Sequence, residues 1–321
     1  MTASGTAEGR DASIVVAVLT HKRADTLRVL LDTFAGIDPP ASSRTTLLVI
    51  DNDAAGSARE IVAAARDRLG DVRYVVEPRR GISVARNRAI DEALALGADA
   101  LCFIDDDEYP HREWLARLAG CWRRTGAHLV GGPVRVAPAA AGLTGWQRWV
   151  NRSLAAWTRR KNDKAGRVAA AGRSFQVFTN NWLCDLGWLR RSGLRFDERL
   201  NVSGGEDTAF CRAAQAAGCV SAWCPEAVVL ETIERGRLSL RYQFHRAASQ
   251  AVTHFRLRSP RVTPGFAVLA TAASVAKTVV SLVLLVVPVL GWASLLTAVR
   301  GLGWSFGRLR ALVGAESRLY A

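Results

Sequence analysis

Four short apolar runs, each followed by a helix-periodic stretch, constrain the fold of this chain more than any other feature. The runs are residues 14–19, 46–50, 72–76 and 100–104. Residues 24–34, 57–69 and the stretch from Gly81 through Leu96 follow the first three, with apolar positions at helical spacing, such as Leu27, Leu30, Leu31 and Phe34. Strand–helix alternation on this scale predicts a parallel sheet with helices on both faces. Right-handed crossovers bring the carboxyl ends of the strands to one rim, where such sheets bind ligands. Thr20, Asp51, Asp105 and Asp107 all fall at those ends. The expectation is an α/β fold, mostly parallel and doubly wound, with a polar rim.

After Pro110 the pattern loosens. Residues 127–136 read as a strand, and 138–172 as a mobile loop or amphipathic helix with Trp146, Trp149 and Trp157 among basic residues. Residues 174–178 read as a strand leading to Thr179-Asn180-Asn181. Gly204-Gly205-Glu206-Asp207 opens a helix to residue 217, 227–233 is an apolar run, and 238–255 a basic helix. The segment 266–299 has Lys277 as its sole charge, is interrupted by Pro288 and Gly291, and is flanked by Arg256, Arg258 and Arg261 before it and Arg300, Arg308 and Arg310 after it. Roughly 20 apolar residues cross a bilayer, but basic flanks resist export. A re-entrant hairpin or an interfacial helix is expected, with a single crossing and a buried helix pair as alternatives. The expected organisation is a disordered tail (1–12), a catalytic domain (13–235), a basic helical linker (236–262) and membrane-associated helices with a basic tail (263–321).

The hydrophobic content of 49% excludes wholesale disorder. A net charge of +14 calls for an anionic partner: nucleic acid, an acidic membrane surface or a phosphorylated substrate. Aromatic and basic residues are not interleaved in a strand-binding pattern, which argues against nucleic acid. The six cysteines form no CxxC pair or zinc-site spacing and read as reduced thiols. The first twelve residues lack the apolar stretch of a signal peptide, so the first domain is expected in the cytoplasm.

The chemistry concentrates at the strand ends. Phe103-Ile104-Asp105-Asp106-Asp107-Glu108 delivers clustered carboxylates from a strand, a hard oxygen site suited to Mg²⁺ or Mn²⁺ with phosphates. A solvated acidic turn is the competing reading. Asp51-Asn52-Asp53 offers acceptors for the ring N–H of a base. Gly81-Ile82-Ser83-Val84-Ala85-Arg86-Asn87 opens a helix whose N-terminus, with Arg79, Arg80 and Arg86, favours phosphate. Arg86 as a plain surface arginine is the alternative.

The segments VAVLTHKRADTLRVLL (16–31), LVIDND (48–53), GISVARNRAI (81–90), FIDDDE (103–108) and GGEDTAFCR (204–212) occur in the order seen in family 2 glycosyltransferases. The FIDDDE variant resembles the branch that builds bacterial exopolysaccharides of the succinoglycan type. The resemblance implies a GT-A fold and an inverting, metal-dependent sugar transfer. It implies that Asp107 and Asp105 hold Mn²⁺ or Mg²⁺, and that Thr20, Asp51, Asp53, Arg86, Asp105 and Asp106 bind the nucleotide sugar. Asp207 matches the catalytic base, with Glu206 beside it, and Asn181 with Trp182 the acceptor side. Asp207 as an ordinary helix cap, Asn181 as a turn cap and Trp182 as core packing are the competing readings. Two departures stand out. His21-Lys22-Arg23 replaces the more usual tyrosine–asparagine pair after the threonine. Gln243-Phe244-His245-Arg246 is similar to the QxxRW signature of processive synthases, but Ala247 replaces the tryptophan, so transfer of one sugar is expected. The expected partners are a nucleoside diphosphate sugar, a lipid-linked or saccharide acceptor and a membrane surface at its cytoplasmic face. The alternatives are a nucleotidyltransferase on a similar sheet and a non-catalytic membrane-bound sugar binder.

Overall fold

A computed structural model describes residues 11–173, 175, 177, 179–201, 203–258, 264–286 and 293–315. In chain order the first elements are β1 (Ala12–Thr20), α1 (Ala24–Phe34), β2 (Ser43–Asp51), α2 (Arg59–Leu69), β3 (Val72–Val76), α3 (Ile82–Ala95) and β4 (Ala100–Asp105). Next come β5 (Glu108–Pro110), α4 (Trp114–Thr125), β6 (Leu129–Gly131), β7 (Val134–Val136), α5 (Gly145–Ala170), β8 (Asn181–Asp185) and α6 (Leu186–Ser192). The remainder are α7 (Glu206–Ala216), β9 (Ser221–Trp223), β10 (Val229–Glu231), α8 (Leu240–Arg258), α9 (Pro264–Val286) and α10 (Ala293–Leu312).

The chain divides into two compact units, one of residues 1–135, 160–198 and 206–231, the other of residues 136–159, 199–205 and 232–321. The first is built on a seven-stranded sheet of order β3-β2-β1-β4-β8-β6-β9. β1 to β4 are parallel, as expected from their apolar runs. Alternate residues of β1 serve the two faces. Ile14, Val16 and Val18 pack with Leu27, Leu30, Leu31 and Trp114, while Val15 and Ala17 pack with Ala85, Ala89 and Ile90 of α3. On the α3 face Phe103 stacks on Trp182 with ring centroids 5.8 Å apart, and Phe196 stacks on Phe210 at 4.4 Å.

The sheet is mostly parallel with helices on both faces, as expected, but not wholly so. β8 runs antiparallel to both β4 and β6, so the sheet is mixed. The expected strand 127–136 is two strands in different sheets: β6 joins the large sheet, and β7 a three-stranded sheet of order β5-β10-β7. Gly132-Pro133 separates them, and proline cannot donate to a ladder. The expected strand at 174–178 falls partly on residues 174, 176 and 178, outside the described set, and the strand that forms begins at Asn181. The stretch 138–172 holds the 26-residue helix α5. Of the expected tail, residues 1–10 lie outside the described residues, as do Arg261, Pro288 and Gly291.

The second unit centres on α8, α9 and α10. α10 carries Gly303-Trp304-Ser305-Phe306-Gly307, a small-xxx-small pair. A Cβ on Gly303 would lie 2.3 Å from the Phe244 carbonyl oxygen, and one on Gly307 2.1 Å from that of Ala248. Only glycine lets the α8 and α10 backbones approach this closely. A separate cluster of Leu143, Val150, Leu154, Leu238 and Leu296 completes the unit's interior.

Candidate active site

The strand register sets the rim. Thr20 at the end of β1 pairs with Asp51 at the end of β2, and Leu19 pairs with Asp105 at the end of β4. Hydrogen bonds then knit the three loops. His21 Nδ1 lies 2.8 Å from the Asn52 carbonyl oxygen. The Asn52 side-chain amide donates to the carbonyls of Glu77 and Arg79 and accepts from the Gly81 N–H at 2.8 Å. Gly81, with φ of 146°, turns the chain into α3. Asn52 thus fixes the helix N-terminus against the β2 loop, a role for which the sequence carried no distinct signal.

Asp51 has no exposed surface. Its carboxylate accepts from the backbone N–H groups of Asp53 and Ala58 and from the Tyr74 hydroxyl at 2.7 Å. Burial, then the Asp51 carboxylate itself, hold the Tyr74 phenol above its usual range. These bonds use the Asp51 side chain to shape the β2–α2 loop. Asp53, on the same loop, is buried as well. Burial pushes its carboxyl up, but the Ala55 N–H, the Ser57 hydroxyl, Lys22 and His21 outweigh this and leave it below its ordinary value.

The acidic run separates by role. Asp106 and Glu108 are buried and serve the protein. Asp106 accepts from the Thr20 hydroxyl at 2.8 Å and from Arg23 Nη1 at 2.7 Å. Glu108 accepts from the Asp105 N–H and, at 2.7 Å, from the Asn180 amide. Asp107 is bound by Arg23 Nη2 at 2.8 Å, so one guanidinium bridges two neighbouring carboxylates. Asp105 makes no side-chain hydrogen bond among the described residues. Its carboxyl is pushed up to about 7 by burial and by the carboxylates of Asp107, Asp106 and Glu231, against the pull of Arg86. Crowded carboxylates of this kind suit a divalent cation, whose charge offsets their repulsion. Among the described residues no three His, Cys, Asp or Glu side chains form a ligand cluster. Asp105 and Asp107 would therefore share the ion with substrate oxygens and water, as Mg²⁺ and Mn²⁺ sites commonly do.

Arg86 connects this cluster to α7. It is buried on α3, donates to Glu206 Oε1 at 2.5 Å and lies over the Phe196 ring, 5.3 Å from its centroid. The surface-arginine alternative is thereby removed. Burial pushes the Glu206 carboxyl up, Asp207 adds to this, and Arg86 opposes it. Glu206 Oε2, Ser83 Oγ and Trp182 Nε1 are buried with no hydrogen-bond partner among the described residues. All three belong to the surroundings of Arg86 and Phe196: Glu206 through the ion pair, Ser83 one turn earlier on α3, and Trp182 through its ring contact with Phe196. Asp207 is half-buried in the first turn of α7. One of its oxygens accepts from the adjacent Thr208 N–H at 2.7 Å. An N-cap would receive the N–H two or three residues on, so the cap reading does not describe Asp207. Its other oxygen has no partner among the described residues.

Asn181 and Trp182, expected on the acceptor side, stand at the start of β8. Asn181 is the first residue of β8 and is buried. It accepts from Trp114 Nε1–H and donates to the carbonyls of Pro133 and Ala227. Trp182 is a core side chain. Both side chains are buried and brace the sheet. Arg23, Asn52, Glu77 and Asn180 are site residues the sequence reading missed. Of these only Glu77 lay outside the segments that drew attention: Arg23 stands in the His21-Lys22-Arg23 departure, Asn52 between Asp51 and Asp53, and Asn180 in Thr179-Asn180-Asn181.

The Glycosyl transferase family 2 profile matches residues 15–185. The chain is 36% identical over 253 residues to the succinoglycan biosynthesis protein ExoM of Rhizobium meliloti (strain 1021), covering 76% of this chain and 74% of that protein. It is 27% identical over 122 residues to the glycosyltransferase AglE of Haloferax volcanii, covering 38% of this chain and 39% of that one. Among solved structures, the mannosyltransferase PcManGT from Pyrobaculum calidifontis, in complex with GDP-Man and Mn²⁺, shares the fold with a TM-score of 0.60 and 18% identity, over 93% of this chain and 86% of that one. S. aureus TarS 1–349 in complex with UDP-GlcNAc shares it with a TM-score of 0.53 and 15% identity, over 94% of this chain and 92% of that one. The chain spans 55% of a longer form of TarS.

Proposed function

The chain belongs to glycosyltransferase family 2, and from that membership we propose that it moves one sugar from a nucleoside diphosphate sugar to an acceptor hydroxyl, with inversion. In this reading the acceptor is a lipid-linked saccharide at the cytoplasmic face of a membrane, in the synthesis of a cell-surface polysaccharide. Similarity to a succinoglycan biosynthesis protein supports the polysaccharide. The UDP-GlcNAc and GDP-Man held by proteins of the same fold support the class of donor. The Mn²⁺ beside GDP-Man supports a divalent ion.

The residues divide the work. The loop shaped by Asp51 and Asn52 frames the nucleoside, with Asp53 and Thr20 at its edge. Asp105 and Asp107 would hold Mn²⁺ or Mg²⁺, which when bound would stabilise charge on the departing diphosphate. Asp207 takes the acceptor proton on its open oxygen. The hydroxyl oxygen then bonds to the anomeric carbon as the bond to the diphosphate breaks, and that electron pair leaves on the diphosphate. Glu206, held by Arg86, keeps the first turn of α7 in place, so Asp207 stays aimed at the acceptor. The observation that carries this reading is the Arg86–Glu206 ion pair: one buried guanidinium of α3 holds the first turn of α7, the turn that bears Asp207. Transfer of a single sugar fits the absence of the tryptophan of processive synthases at Ala247, where α8 is buried.

The test is incubation with UDP-, GDP- and dTDP-sugars, Mn²⁺ and a membrane extract, with the anomeric configuration of the product read by NMR. Metal-dependent donor loss with an inverted product is expected. Intact donors throughout, or a retained configuration, overturns the reading. Release of pyrophosphate from a nucleoside triphosphate would instead favour a nucleotidyltransferase, which no glycine-rich, lysine-bearing strand-end loop supports.

A further inference from the structure

All of the chain's net charge lies in one unit. The first unit contains twenty-seven basic and twenty-seven acidic residues, and the second sixteen basic and two acidic. Among the described residues, all the exposed large hydrophobic side chains except Val29 and Val220 also lie in the second unit. On α9, Val268, Leu269, Val275, Val279, Val280 and Val283 are all more than half exposed. Successive residues of a helix turn by about 100°, which places these six on one side. The opposite side carries Ala270, Ser274 and Ser281, all buried. Ser274 and Thr278 return their hydroxyls to carbonyls of their own helix, so that face needs no water. α9 is therefore inverted relative to a helix of a water-soluble body: its small and hydroxylated side faces protein, and its aliphatic side faces out.

The packing of α9 fixes its direction. Ala270 clusters with Ala311, the Lys277 amine lies 4.2 Å from the centroid of the Trp304 ring, and Ser281 meets Gly301. α9 thus runs antiparallel along most of α10. α10 in turn runs parallel to α8, from the Arg300–Gln243 bond to the bond from Arg256 to the Gly314 carbonyl. A crossing α9 would draw Arg246, Arg300 and Arg308 of the fused helices to hydrocarbon depth, where charged side chains are costly.

We infer that α9 lies in the plane of an anionic leaflet, its aliphatic side among the acyl chains and the basic side chains of α8 and α10 at the headgroups, without crossing the bilayer. Opposite charge and aliphatic area act together in such docking. The inference deepens the membrane placement proposed above and rests on none of the transfer chemistry.

The experiment uses the full chain with phosphatidylcholine vesicles, with and without phosphatidylglycerol, in flotation assays. Binding should require phosphatidylglycerol, with affinity falling at least about tenfold without it, and should weaken at high salt. Val275→Glu with Val279→Glu should abolish flotation while donor turnover on a soluble acceptor analogue stays unchanged. That readout separates failure of docking from failure of the enzymatic assignment. Depth is read from Leu269→Cys, Val275→Cys and Val283→Cys, each in a Cys219→Ser background, since the other five cysteines are buried. A fluorophore at each position should be quenched equally by shallow lipid quenchers. A deep centre between shallow ends would show a crossing helix and overturn the inference. So would binding indifferent to lipid charge, or a vesicle-independent dimer that shields the labels.

Discussion

Replacing Arg86 by methionine would leave the Glu206 carboxylate buried beside Phe196 without its counter-charge. The side chains of Arg86 and Glu206 are only 7% and 4% exposed, so solvent screens the pair little. Removing one partner of such a pair costs about 3–5 kcal/mol, because the surviving charge loses its compensation. For a unit of this size each kcal/mol moves the melting midpoint by about 2–4 °C, which gives a fall of roughly 6–20 °C. The pair itself contributes much less than that figure, since two charges were taken out of water to form it. Arg86→Met with Glu206→Met should therefore recover most of the lost stability. Thermal unfolding of wild type, the single variant and the double variant, followed by circular dichroism, measures all three. A midpoint within about 2 °C of wild type for the single variant would refute the buried-pair reasoning. So would a double variant no more stable than the single. The double variant should stay folded and lose transfer activity, because the guanidinium near Asp105 is gone.

Tyr74→Phe removes a hydrogen bond to a buried carboxylate and should cost about 1.5–3 kcal/mol in urea unfolding; an unchanged midpoint would show that Asp51 does not depend on it. Asn181→Leu leaves the Ala227 carbonyl and the Trp114 indole N–H unsatisfied, while the Pro133 carbonyl keeps the Val229 N–H, and should cost about 2 kcal/mol or more. A stable Asn181→Leu protein with impaired acceptor affinity would place Asn181 on the acceptor side. Asp107→Asn should reduce the Mn²⁺-dependent gain in nucleoside diphosphate affinity by at least about tenfold in calorimetric titration, whereas an unaltered gain would remove Asp107 from the metal.

The first half of the first unit was legible because its signals are local. Strands buried on both faces read as apolar runs, and α1 and β3 match the expected bounds of 24–34 and 72–76. The carboxylates at the ends of β2 and β4 follow from strand polarity alone. What was not legible depends on partners distant in sequence. Nothing local says that β8 pairs antiparallel with β4, or that residues 127–136 serve two sheets. Asp51 and Asp107 look alike as strand-end acids, yet Tyr74 and two backbone N–H groups claim the first while an arginine three residues past β1 claims the second. Asn181 has the spacing of a ligand residue, but the indole of Trp114 and two carbonyls draw its amide into the core. Arg86 was visible as a basic residue at a helix start. Its burial could not be seen until α7 was folded against α3.

Asp207 is the proposed proton acceptor, in a site that would bind its donor independently of that proton transfer. The measurement is donor affinity and turnover side by side for wild type and Asp207→Asn, with Mn²⁺ and acceptor present. Donor affinity should stay near wild type while turnover falls by about 10²–10⁴, the range that general-base catalysis supplies. Turnover that survives the substitution, or donor binding lost together with it, would contradict the assignment.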